Sequence, residues 1–237
     1  MSGETRGPAA PAGPSRYVQA LALGIDPAWR RLDDATRRAD AAVFVEVDAC
    51  AAEHGVSSTA YSMVGLEPGV ELLLFRVGPD IDALETAASR LLLAGLGRWA
   101  SVRHSFLGRM GPSQYVATPT EQEQGLIDGE RSRYLVVYPF TKSTDWYLLG
   151  REARQGIMNE HMRVGRGFPQ VRQLLAYGFG LDDHDFLVAY ETDDLAAFGD
   201  LVRALRGTES RRSTVRDTPI LTAIHRPLPE AVTLIGG

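Results

Sequence analysis

The sequence predicts an α+β fold made of two βαββαβ halves packed together as a barrel-like unit. Three observations carry this expectation. Strand-like alternation and helix-like periodicity follow one another in the order strand, helix, strand, strand, helix, strand, and that order occurs twice. Short traces of sequence recur at matching places. Ser15-Arg16-Tyr17 opens the first half and Ser132-Arg133-Tyr134 the second, while Gly65-Leu66-Glu67 is answered by Gly180-Leu181-Asp182 at a nearly equal offset. Between the halves, residues 111–131 are polar and broken by Pro112, Pro119, Gly125 and Gly129, as a linker is.

Each element has a local reason. Residues 1–15 are rich in Gly, Pro, Ala and Ser and hold no apolar stretch, so they read as a disordered tail and not as a secretory signal. The first half spans 16–110. Tyr17 to Leu23 alternates loosely, as a strand does, and a helical pattern runs from about Pro27 to Glu53. Ser58 to Val64 and Val70 to Val77 make a hairpin around Leu66-Glu67-Pro68-Gly69. Asp80 or Asp82 caps a second helix reaching Leu93, and Trp99 to Leu107 returns as a strand, completing a ferredoxin-like unit.

The second half, 132–237, repeats the order. Tyr134 to Phe140 is a strand with Val136 and Tyr138 on one face and Leu135 and Val137 on the other. A helix ends near Met162, and Leu174 to Phe179 pairs with Phe186 to Tyr190 around Gly180-Leu181-Asp182-Asp183. Asp194 to Leu205 is helical and Ile220 to Ile224 is the last strand. Two such halves could pack their sheets together, each covering the other's bare face.

Composition narrows the function. At 44% hydrophobic and 23% charged, the chain of 237 residues suits a globular protein with a core. A net charge of -5 offers no basic footprint for nucleic acid. No stretch approaches the roughly 20 apolar residues of a membrane helix, and the expectation is a cytoplasmic protein. The lone cysteine, Cys50, excludes an internal disulfide framework and reads as a small buried filler.

Motif by motif, the chain lacks a dinucleotide fingerprint, a P-loop, an HExxH helix and a nucleophile elbow. Gly165 and Gly167 follow a helix without the rest of a phosphate loop. Of the five histidines, His54, His104, His184 and His225 are scattered and share no helix at metal-ligand spacing. His161 differs, because Ile157 and Met158 share its helix face and Met162 extends that apolar surface. By itself such an imidazole reads more often as a satisfied core histidine than as a ligand.

The surrounding residues add to this. Tyr138-Pro139-Phe140-Thr141-Lys142, Asp145-Trp146-Tyr147-Leu148-Leu149 and Glu160-His161-Met162-Arg163-Val164-Gly165-Arg166 resemble the C-terminal half of coproheme decarboxylases, within the chlorite dismutase-like superfamily. The resemblance covers roughly 133–226, with a fainter echo at Tyr61-Ser62-Met63-Val64-Gly65. Phe106 to Ser113 and Gly180 to Phe186 look more like true chlorite dismutases. Chlorite dismutases carry a distal Arg where this chain has Gln173, and an aliphatic residue where it has Tyr138. At Gln173 the chain is similar to decarboxylases of one bacterial branch, and at Tyr138 it matches the decarboxylases' radical tyrosine.

The resemblance implies a haem-dependent oxidoreductase with haem b or iron-coproporphyrin III bound in the second half. His161 would ligate the iron, leaving the other face open to hydrogen peroxide. Tyr138 would lose an electron and a proton and oxidise a propionate. Lys142 would hold that carboxylate as a compact cation, and Gln173 would offer a neutral amide near the distal face. Trp146 would pack beneath the haem. Arg206 and Ser210 match the family's propionate-binding pair, with Glu209 and Arg211 competing if the alignment slips by one residue. Two positions depart from the family. Met162 stands where decarboxylases usually have Gly, and no distal histidine has a counterpart near Ser113 and Gln114. The implied reaction is peroxide-dependent decarboxylation of iron-coproporphyrin III to haem b by a homo-oligomer, typically a pentamer. The competing readings are a chlorite-degrading or specialised-pathway haem oxidoreductase, a non-catalytic haem carrier or sensor, and a homologue that binds no porphyrin.

Overall fold

Nine residues of near-unbroken hydrophobicity make β1 (Tyr17–Ile25), and both of its faces are buried. In the computed structural model, which describes residues 16–111, 113, 115 and 129–237, β1 is the centre of the first half. The expected tail and most of the expected linker lie outside the described residues. β1 pairs antiparallel with β3 (Val70–Gly78) and with β4 (Ala100–Arg109), and β2 (Ser57–Glu67) flanks β3. Gly69, at φ +72°, allows the tight link between β2 and β3. In the second half β7 (Phe186–Thr192) pairs with both β6 (Arg172–Tyr177) and β5 (Tyr134–Lys142), and β9 (Leu221–His225) lies on the far side of β5. A short strand, β8 (Thr214–Arg216), is appended to β5 and was not expected from the sequence.

The two halves form the barrel-like unit expected, and they do so by joining sheet edges and not by laying one bare face on the other. β4 meets β6 at Arg109 and Tyr177, and β2 meets β9 at Tyr61–His225 and Ser62–Ile224. The order β7-β6-β4-β1-β3-β2-β9-β5, closed by the β7–β5 pairing, is an antiparallel barrel. Such a barrel leaves an interior just wide enough to be filled by side chains. Here both halves fill it, with Val18, Ala20, Phe75, Leu135, Val137, Leu174 and Ala189 among them. Small residues are required where strands come close: a Cβ on Gly108 would lie 2.7 Å from that of Ala176.

Helices cover the outside. The expected helix from Pro27 to Glu53 is interrupted: a 3₁₀ turn holds Trp29–Arg31, Leu32 is extended, and α1 (Asp34–Cys50) starts afresh. Asp33 decides that start, because its carboxylate accepts from the Thr36 amide at 2.9 Å. Cys50 is exposed at the end of α1 and not the buried filler expected. α2 (Ile81–Leu92) is capped by Asp80, which accepts from the Ala83 amide at 2.7 Å. A C-terminal helix, α6 (Leu228–Ile235), which the sequence reading did not include, crosses back onto the first half. There Ala231, Val232 and Ile235 pack with Trp29, Phe44 and Leu72.

The second half is covered more thinly. α5 (Leu195–Arg206) is capped by Asp194 and buries Ala197 and Leu201. Before it come α3 (Thr144–Leu148) and α4 (Arg151–Gly165), and α4 has no fully buried residue. The outer face that α1, α2 and α6 fill in the first half is therefore left partly open in the second. Among the described residues no helix is long and apolar enough to cross a membrane.

Candidate functional site

A cavity of about 430 Å³ occupies that open face, between the barrel wall and α4, α5 and the 3₁₀ turn Glu209–Ser213. Strand alternation determines the wall. On β5 it presents Tyr138, Phe140 and Lys142; on β7, Phe186, Val188 and Tyr190; on β6, Gln173, Leu175 and Tyr177. The partners of these residues on the opposite pleat, such as Val137 and Ala189, fill the barrel. α4 contributes Met158, His161 and Met162 from one helix face. All of the residues singled out from the sequence, Tyr138, Lys142, Trp146, His161, Gln173, Arg206 and Ser210, line this one cavity.

His161 is held neutral. Burial, with the Lys142 ammonium as a second cause, pushes its pKa down to about 4, and the Glu160 carboxylate only partly offsets this. Its Nδ1 is buried without a hydrogen-bond partner, which leaves Nε2 as the nitrogen that can serve the cavity. A neutral imidazole edge on an apolar cavity is the form in which histidine binds a metal. Across the cavity, burial raises the Tyr138 phenol well above its ordinary pKa, and the Tyr190 hydroxyl and Asp217 add to the shift. Tyr138 therefore keeps its proton at neutral pH. It stacks on Tyr190 with ring centroids 6.0 Å apart.

Lys142 is buried, and its Nζ donates to the Ser210 carbonyl at 2.8 Å and to the Ser210 hydroxyl at 3.0 Å. The ammonium also lies over the Trp146 ring, 4.5 Å from its centroid. Burial and the Arg211 charge lower the Lys142 pKa to about 8. The sequence reading assigned Lys142 and Ser210 to carboxylates of a ligand. In the structure they bind each other, and Lys142 acts electrostatically on His161. Arg211 is engaged by Asp217 at 2.5 Å, whereas exposed Arg206 has no hydrogen bond or ion pair among the described residues. Gln173 stands across the strands from Tyr190 and turns its side chain to the cavity.

The sequence does not single out Tyr190, Phe186 or Asp217 as site residues. Tyr190 and Phe186 could have been found, since they share a pleat face with Val188 at period two. Asp217 could not, because it reaches the cavity from an irregular segment after β8. Of the positions considered for a distal base, Ser113 lines the cavity and Gln114 lies outside the described residues. The groups present fit an iron porphyrin: a neutral imidazole, aromatic and aliphatic walls, and a guanidinium at the margin.

Comparison with known proteins agrees with this geometry. The family profile for chlorite dismutase matches residues 32–226. A coproheme decarboxylase from Mycolicibacterium smegmatis is 31% identical over 168 residues, covering 68% of this chain and 70% of that one. The structure of chlorite dismutase from Candidatus Nitrospira defluvii in complex with imidazole superposes with a TM-score of 0.83 at 25% identity, over 94% of this chain and 95% of that chain. A mutant of the same enzyme gives a TM-score of 0.84 at 27% identity, over 94% and 96%. The chain belongs to the chlorite dismutase family.

Proposed function

We propose that this protein binds an iron porphyrin through His161 and uses hydrogen peroxide to decarboxylate iron-coproporphyrin III to haem b. The observation that carries the reading is the pairing of a neutral His161 and a protonated Tyr138 in one apolar cavity. A coproheme decarboxylase among the relatives supports it. Two of the four propionates would each lose carbon dioxide, one proton and two electrons to become a vinyl group, while one peroxide per propionate is reduced to water. The bound iron would supply the oxidising equivalents.

The chain's own residues would do the rest. His161 Nε2 would hold the iron, kept unprotonated by burial and by the Lys142 charge. Lys142 would be a positioning residue, clamping the Glu209–Ser213 turn through Ser210. Tyr138 Oη would hold the proton that leaves with the transferred electron. Arg206, whose charge is felt at Tyr138, would draw a carboxylate to that phenol. Gln173 would offer an uncharged donor on the open face, without the positive charge that would retain a hypochlorite leaving group.

The test is mass spectrometry of the porphyrin after mixing protein, iron-coproporphyrin III and peroxide. Wild type should give haem b. Tyr138→Phe should still bind the substrate, since packing and His161 are untouched, yet should bleach it without losing carbon dioxide. Haem b formation at the wild-type rate in Tyr138→Phe would place the relay elsewhere. Sustained oxygen release from chlorite would instead favour the chemistry named for the structural neighbours.

A further inference from the structure

Beside the main cavity lies a smaller one of about 190 Å³, walled by Trp146, Tyr147, Tyr177, Phe179 and Phe186 and entered by Arg154. Arg154 sits on α4 at positions i−4 and i−7 from Met158 and His161, on the same helix face as the proposed ligand. Its Nε is buried without a partner, and its guanidinium makes no hydrogen bond or ion pair among the described residues. Asp185, the acid that acts with Arg154 on Tyr147, is committed elsewhere: it accepts from the Tyr147 hydroxyl at 2.6 Å and from the Lys142 amide at 2.8 Å. A half-buried guanidinium with open donors is a strong receptor for a planar carboxylate, which it can bind through two parallel hydrogen bonds.

The pocket stands at the end of the main cavity away from Tyr138 and Arg206. It is walled by Phe186, whereas Tyr138 pairs across the strands with Val188, two residues along β7, and leans its ring on Tyr190, four residues along. At the rise of a strand that is roughly 7 Å for the Tyr138 backbone and up to about 13 Å for the ring stacked at Tyr190. A porphyrin ring bridging this distance would present one rim to Tyr138 and the other to Arg154. We propose that Arg154 and its aromatic pocket form a carboxylate subsite, which holds the propionates that survive the reaction and so turns the opposite rim toward Tyr138. This rests on the porphyrin reading given above.

The probes are iron protoporphyrin IX, which carries two free propionates, and its dimethyl ester, which carries none. Both are titrated optically into wild type, Arg154→Gln and Arg154→Lys. Wild type should prefer the free acid. Arg154→Gln should weaken it roughly ten- to a hundred-fold, the effect of one charge-assisted contact, and leave the ester unchanged. Arg154→Lys should keep part of the preference. Sodium benzoate provides the second arm. Arg154-dependent benzoate binding, with no effect of Arg154→Gln on either porphyrin, would assign the pocket to a free carboxylic acid and overturn the propionate form. Equal affinities for acid and ester in wild type would overturn the subsite alone. Failure of wild type to bind either porphyrin would overturn the proposed function as well.

Discussion

Burial and the Lys142 ammonium together hold the His161 imidazole neutral down to about pH 4, below the ordinary histidine value of 6.5. The folded chain therefore binds fewer protons at this site than the unfolded chain between those two pH values. His161 should leave stability unaffected above pH 6.5 and lower it progressively as the pH falls toward 4. Buried His184 and half-buried His225 are shifted in the same direction, so only a difference isolates His161. Urea unfolding of the porphyrin-free wild type and of His161→Phe should converge in pH dependence above 6.5 and separate below it, with wild type losing more. Parallel curves down to pH 4 would show that the imidazole is not desolvated. Lys142→Met should raise the His161 pKa, visible by NMR titration of the ring protons, because a repelling cation has been removed.

At the scale of elements, β2 and β7 meet at one end of the barrel through a buried polar cluster. β7 turns Leu187, Ala189 and Glu191 inward in succession, so a fully buried carboxylate follows two core residues. Tyr61 of β2 donates to Glu191 at 2.5 Å, and Arg172 of β6 donates to its other oxygen at 2.9 Å. The halves are thus pinned by one buried carboxylate, which Arg131 and Arg172 neutralise and to which Tyr61 of the first half adds a hydrogen bond. Tyr61→Phe should cost about 1.5–3 kcal/mol, and Glu191→Ala about 3–5 kcal/mol because it strands the buried tyrosine hydroxyl and removes the carboxylate that both Arg131 and Arg172 face. Denaturant midpoints check both. A loss below about 0.5 kcal/mol for either variant would mean that the cluster is satisfied without this contact.

For the whole molecule, the shared interior has a direct consequence. Val18, Ala20 and Phe75 of the first half pack in one core with Leu135, Val137 and Ala189 of the second. A half released from its partner would expose that face along with two unpaired strand edges. The chain should therefore unfold in one transition, seen alike by far-UV and near-UV circular dichroism. Residues 132–237 expressed alone should lack fixed tertiary structure. A separate half with a native-like near-UV spectrum and its own cooperative melt would contradict this.

Local chemistry determined much of the molecule from the sequence alone. Period-two alternation placed Tyr138 opposite Leu135 and Val137, aspartates marked two helix starts with Asp80 and Asp82 as alternatives for the first, and helical spacing put His161 with Met158. These are interactions between near neighbours, and the order of residues contains them. The same alternation states that a face is buried without stating by what. Stacked sheets and a closed ring satisfy it equally, so only tertiary pairing decided between them. Likewise α6 shows an apolar face, yet its partners Phe44 and Leu72 lie in the other half. Asp33 was passed over within a longer helical pattern, and Cys50 falls on the outward side of α1. The site divides the same way: the sequence holds the identities of His161, Tyr138 and Lys142, but burial set their proton affinities. Which cations remained open, Arg206 and Arg154 against Lys142 and Arg211, was decided where distant segments came to rest.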